Sequence, residues 1–152
     1  MKINFTKKQF QSLIKLIHLG NWMANVHRID ETIEEFNELE QYILSFGKDF
    51  GMEDHIEYDE GLKQFFLTQE YIENSGLEDL IDSYNDEIFW VELVTRLSER
   101  DVIEKYGIKE AKNMGPEELI SKKLPFWEIY EKEFEENGLQ NLRIIKGPKI
   151  IL

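Results

Sequence analysis

The chain has 152 residues, a net charge of −13, 41% hydrophobic and 12% aromatic residues, and no cysteine. A chain of this length suits one domain burying roughly 70% of its unfolded surface, so no covalent or metal staple is needed. The lack of cysteine excludes a disulfide framework, a cysteine nucleophile and thiolate metal sites, and it fits a reducing compartment.

No stretch approaches the ~18 apolar residues of a membrane span. Lys7, Lys8, Gln9, Gln11 and Lys15 interrupt the N-terminal apolar residues, so no leader is expected there and a cytoplasmic location is the default. The charge is laid out unevenly. Residues 1–29 hold five bases and no acid, residues 30–95 hold 20 acids against Lys48 and Lys63, and residues 96–152 are balanced. Such a field disfavours direct nucleic-acid or anionic-membrane binding and favours a basic protein partner.

In chain order, Thr6 and Gln9 form a capping-box pattern that predicts a first helix over Lys7–Val26. Asp30 is the next N-cap candidate, opening a helix to about Phe46, where Ile29, Ile33, Phe36, Ile43 and Phe50 fall on one side, with Gly47 and Gly51 as stops. Residues 52–74 lack clean alternation and read as loop with at most a short hairpin. Ser75 with Glu78 predicts a second capping box opening Leu77–Tyr84. Asn85 then caps a longer helix, Asp86–Tyr106, that bends near Ser98 and closes at Gly107. Gly115-Pro116-Glu117-Glu118 is a start signal, because proline suits the first helical position and acids suit the positive helix end. Pro125 is expected to break that helix and begin another, Phe126–Glu136, closed by Asn137-Gly138. Leu142–Ile145 reads as a short strand beside Ile3–Phe5, and residues 146–152 as a loose tail. The expected fold is mainly α: a single helical domain over residues 1–145, with five to six helices and at most a minor two- or three-stranded sheet.

The first helix holds the most informative pattern. Phe10, Ile14 and Ile17 share a stripe that continues into Asn21, Ala24 and Arg28, with His18 and Asn25 at its edge. Leu16, Leu19, Met23 and Val26 cover the other side, and a helix apolar on both sides is buried all round. Arg28 is therefore expected to be buried and paired with an acid from residues 30–104, and its removal to cost about 3–5 kcal/mol. Two roles are open for this patch. One is a satisfied polar network docking the helix on the acidic middle. The other is a small-ligand pocket lined by Asn21, Trp22, Asn25 and Arg28. Neither applies if the helix ends at Gly20, which leaves these polar residues simply exposed.

On the second helix, Glu31, Glu34, Glu35 and Glu38 follow i, i+3, i+4, i+7 spacing, so they form an acidic stripe suited to a row of Lys or Arg on a partner. His18, His27 and His55 form no ligand set. The acids around His55 lack EF-hand spacing, so neither metal nor cofactor is expected. Walker, GxGxxG and GxSxG motifs are absent.

The segments LGNWMANVHR, ELEQYILSFGKDFG and NDEIFWVELVTRLSERDVIEKYG resemble a group of small acidic bacterial proteins of uncharacterised function, over about residues 8–138. That resemblance implies a bacterial cytosolic setting and transfers no functional residue. The reading from sequence is a non-enzymatic acidic interaction module engaging a basic partner, in the manner of an immunity protein or a nucleic-acid-mimic inhibitor. The alternative is a small-ligand-binding or hydrolytic protein using the polar patch around Asn25 and Arg28.

Overall fold

The computed structural model describes residues 3–144. Its elements are α1 (Lys7–Asn25), α2 (Glu34–Leu44), a 3-10 turn (Gly47–Phe50), β1 (Ile56–Asp59), β2 (Gln64–Leu67), α3 (Gln69–Asn74), α4 (Leu77–Tyr106), α5 (Ile108–Asn113) and α6 (Pro116–Asn137). The fold is mainly α with one two-stranded antiparallel sheet, as the periodicities predict. The chain divides into two compact units, residues 1–84 and 85–152. Among the described residues no helix is long and apolar enough to cross a membrane.

In the first unit, the Thr6 hydroxyl accepts the Gln9 N–H, and the Gln9 amide oxygen accepts the Thr6 N–H at 2.9 Å, so the expected capping box starts α1. Phe10 and Ile14 pack with Leu44, Met52, Leu67, Tyr71 and Leu77 as the core. Phe10 stacks on Phe50 with ring centroids 4.0 Å apart. Gly47 packs so closely against Ile56 that any side chain there would collide with it.

The hairpin β1–β2 pairs Ile56 with Leu67 and Tyr58 with Phe65. Its turn is held by Asp59, whose carboxylate accepts the N–H groups of Gly61 and Leu62, both at 2.8 Å. The Gln41 side chain on α2 closes the free edge of β2. It accepts the Phe65 N–H at 2.7 Å and donates to the Phe65 carbonyl at 2.9 Å.

Several boundaries differ from the sequence expectation. Asp30 does not open α2, which begins after Ile33 in extended conformation. Ile29 is 94% exposed and belongs to no buried stripe. Residues 69–74 form α3 rather than loop, with Thr68 as N-cap. Ser75 ends α3 in helical conformation, and its hydroxyl lacks any hydrogen-bond partner among the described residues. It therefore cannot form the box with Glu78, since a capping residue must be extended. No break occurs at Asn85, because α4 is continuous over 30 residues. An Asn caps only where the preceding chain has left helical geometry.

In the second unit, Val94, Ser98 and Val102 are buried along α4. The Ser98 hydroxyl donates to the Val94 carbonyl at 2.6 Å, so this polar group is satisfied within its own helix. Gly107 takes φ +86° and ends α4, as expected, and a short α5 follows. Pro116 occupies the first turn of α6. Pro125 does not break that helix, which runs through it to Asn137. Proline removes one backbone donor, and packing along the rest of a 22-residue helix tolerates that loss. Gly138 closes α6 with φ +54°. Ile3–Phe5 and Leu142–Ile144 form no strand, while Ile145 and the tail 146–152 lie outside the described residues.

Candidate functional site

The polar end of the α1 stripe meets α2 running in the opposite direction. Ile14 faces the core beside Leu44, and from there His18 and Asn21 pair with Glu40 and Asn25 pairs with Asn37, one turn earlier on α2. Glu40 stands between His18 and Asn21. Its carboxylate is 2.8 Å from His18 Nδ1 and accepts from Asn21 Nδ2 at 2.5 Å. Asn21 Oδ1 accepts from Asn25 Nδ2 at 2.7 Å, and that nitrogen also lies 3.3 Å from Asn37 Oδ1. Asn25 then holds both backbone groups of Ile33. The side chain of Glu40 is only 13% exposed and that of His18 23%, so this carboxylate is shielded and has two donors in place of lost water. An ionised carboxylate only accepts, so with Glu40 charged the donor in this pair is His18 Nδ1, and Nε2 is the ring nitrogen left over.

Each residue singled out in the sequence has a definite place. Asn21 and Asn25 sit at the seam and are hydrogen-bonded within the fold. Trp22 turns to another side of α1 and meets Tyr84 edge-on, with ring centroids 6.4 Å apart. Arg28 is exposed, which corrects the expectation of a buried ion pair. Its helix ends at Asn25, so the stripe does not extend that far. The guanidinium instead donates to the Ala24 carbonyl at 2.9 Å, satisfying a helix-end acceptor. The four residues Asn21, Trp22, Asn25 and Arg28 therefore do not converge on one cavity.

Of the acidic stripe, Glu34, Glu35 and Glu38 lie exposed on α2, but Glu31 precedes the helix. Glu34 is engaged locally, accepting from Thr32 Oγ1 at 2.5 Å. The outward face of α2 instead carries Glu35, Glu38, Leu39 and Tyr42 at i, i+3, i+4 and i+7, with Tyr42 61% exposed. Sequence reasoning missed Leu39 and Tyr42 by following the charges alone. It also missed Glu40, whose significance depends on His18 lying 22 residues earlier.

A cleft of about 350 Å³ opens beside the seam, walled by His18, Asn21, Asn37 and Glu40 on one side and by Phe65, Leu67 and Ile72 on the other. Among the described residues no three His, Asp or Glu side chains cluster in a way that would hold a metal ion. The chain matches no protein family, no curated protein and no solved structure.

Proposed function

We propose that the protein is a non-enzymatic acidic binding protein whose first unit engages a basic protein partner. The supporting observation is the state of its carboxylates. Residues 30–84 contain 17 acids and two lysines, and every acid but Glu40 is exposed. Among the described residues none of these acids pairs with a Lys or Arg. A fold gains nothing from concentrating unpaired like charge, whereas a basic partner is steered by it. The outward face of α2 adds Leu39 and Tyr42 between glutamates, which gives such a contact an apolar and aromatic centre. An immunity protein or a nucleic-acid mimic has this chemistry.

The test is a pull-down from bacterial lysate at low and high salt, with wild type and Glu35→Lys/Glu38→Lys in parallel. Wild type should retain a basic protein at low salt and release it at high salt, and the charge-reversed protein should lose it. Retention of nothing basic, or equal retention by both proteins, overturns the proposal.

A second reading has one observation in its favour, the shielded His18–Glu40 pair beside its cleft. Glu40 holds the ring through Nδ1, which leaves Nε2 for a hydrogen bond to a small ligand or a water. A function located there would be indifferent to charge reversal on the outward face of α2, so the same variant separates the two readings.

A further inference from the structure

The second unit contains a separate cavity of about 310 Å³ between α4 and α6. Glu87 and Trp90 contribute from one face of α4. Trp127, Glu131, Phe134 and Glu135 contribute from one face of α6, at i, i+4, i+7 and i+8. Its lining therefore combines three aromatic rings with three carboxylates, and Val91 and Val94 complete the α4 wall. Trp90 and Phe134 meet with ring centroids 5.6 Å apart, and all three aromatic side chains are half-buried. Glu87, Glu131 and Glu135 are exposed, and among the described residues none of them has an ion pair or a side-chain hydrogen bond.

The two components of this lining select the same ligand. Aromatic faces carry negative quadrupolar potential and attract a cation placed over them, tryptophan most strongly. Carboxylates at the mouth supply net charge. An anion is repelled by both components, and a neutral apolar ligand gains nothing from the carboxylates. The protein already uses one of these rings in this way, since the Lys123 ammonium lies 5.7 Å from the Trp127 ring centroid. A bulky, weakly hydrated ammonium suits the cavity better than a metal ion, because methyl groups can contact the rings while the charge remains near the glutamates.

We propose that this cavity is a binding site for an alkylated ammonium cation, held by Trp90, Trp127 and Phe134 and neutralised by Glu87, Glu131 and Glu135. The cation is either a free solute of the choline type or the end of a methylated lysine side chain. The site does not depend on the acidic surface of residues 30–84, and either proposal can fail without the other.

The experiment titrates the full chain with choline and with its neutral carbon isostere 3,3-dimethylbutanol, following tryptophan fluorescence and calorimetric heat. A peptide carrying one trimethyl-lysine is titrated alongside. Choline or the peptide should bind saturably, with the isostere weaker by roughly tenfold or more. Tighter binding of the peptide identifies a protein side chain as the source, and equal or tighter binding of choline identifies a free solute. Glu131→Gln/Glu135→Gln should weaken cation binding about tenfold. Glu117→Gln/Glu118→Gln removes the same charge from the first turn of α6, about 20 Å along the helix, and should leave it nearly unchanged. Equal binding of the isostere, equal weakening by both pairs of substitutions, or no saturable response to either cation overturns the proposal.

Discussion

Asn25 grips the backbone of Ile33 from both sides: its amide oxygen accepts the Ile33 N–H at 2.7 Å, and its amide nitrogen lies 3.3 Å from the Ile33 carbonyl. This is the hydrogen-bonding pattern of a neighbouring strand, supplied by one side chain. It keeps Ile33 extended and so fixes where α2 begins. Gln41 does the same for Phe65 and fixes the hairpin against α2. Two side-chain amides thus position the pieces of the first unit that its apolar core leaves free.

Asn25→Ala should lower stability by about 2 kcal/mol, because it leaves the half-buried Ile33 N–H without its acceptor and the Asn21 side-chain oxygen without its donor. Arg28→Ala should change it by no more than about 0.5 kcal/mol, since that side chain is exposed. Urea unfolding of the two variants in parallel checks the contrast. A loss for Arg28→Ala as large as that for Asn25→Ala would mean that the guanidinium is buried after all.

Pro125→Ala should raise stability by about 2 kcal/mol. Pro125 is exposed and sits well inside α6, so alanine restores a backbone donor and relieves the ring's clash with the preceding turn. Greater freedom of the unfolded chain offsets a part of this gain. An unchanged or lower melting temperature would show that α6 needs the proline for its packing.

Tyr130 gives a prediction in pH. Burial and its 2.5 Å hydrogen bond to Asp101 push its hydroxyl up to about 12, while the Arg100 guanidinium 2.7 Å away pulls the other way. An unfolded tyrosine ionises near pH 10. Between pH 10 and 12 the folded chain therefore holds a proton that the unfolded chain has lost, and stability should fall across that window. Tyr71 is also raised by burial, so wild type must be compared with Tyr130→Phe to isolate the effect. The substitution should abolish the late phenolate transition near pH 12, flatten the fall and cost about 1 kcal/mol at neutral pH. A phenolate absorbance curve that is the same in both proteins above pH 10 would contradict this.

The sequence was most informative where a signal is local. The Thr6–Gln9 box, Pro116 at a helix start, and Gly107 and Gly138 at helix ends all act within one turn, and all are found as read. The acidity of residues 30–84 is likewise a property of composition alone. Local signals failed where two of them competed. Ser75 ends one helix instead of opening the next, and Asn85 and Pro125 are carried through by helices whose remaining turns hold them.

What only the tertiary structure decided is which side chains meet. Periodicity marked Asn21 and Asn25 as polar intrusions on an apolar stripe, but it placed Arg28 with them because a helical wheel does not record where its helix ends. Glu40, Asn37 and Ile33 became their partners only when α2 packed antiparallel against α1. The cavity with its three glutamates, which have no ion pair among the described residues, exists because α4 and α6 bring residues about 40 positions apart onto facing surfaces. Sequence spacing fixes the face a residue occupies on its own element, whereas the partner of that face is set by packing, which optimises the apolar core and leaves polar groups to find one another.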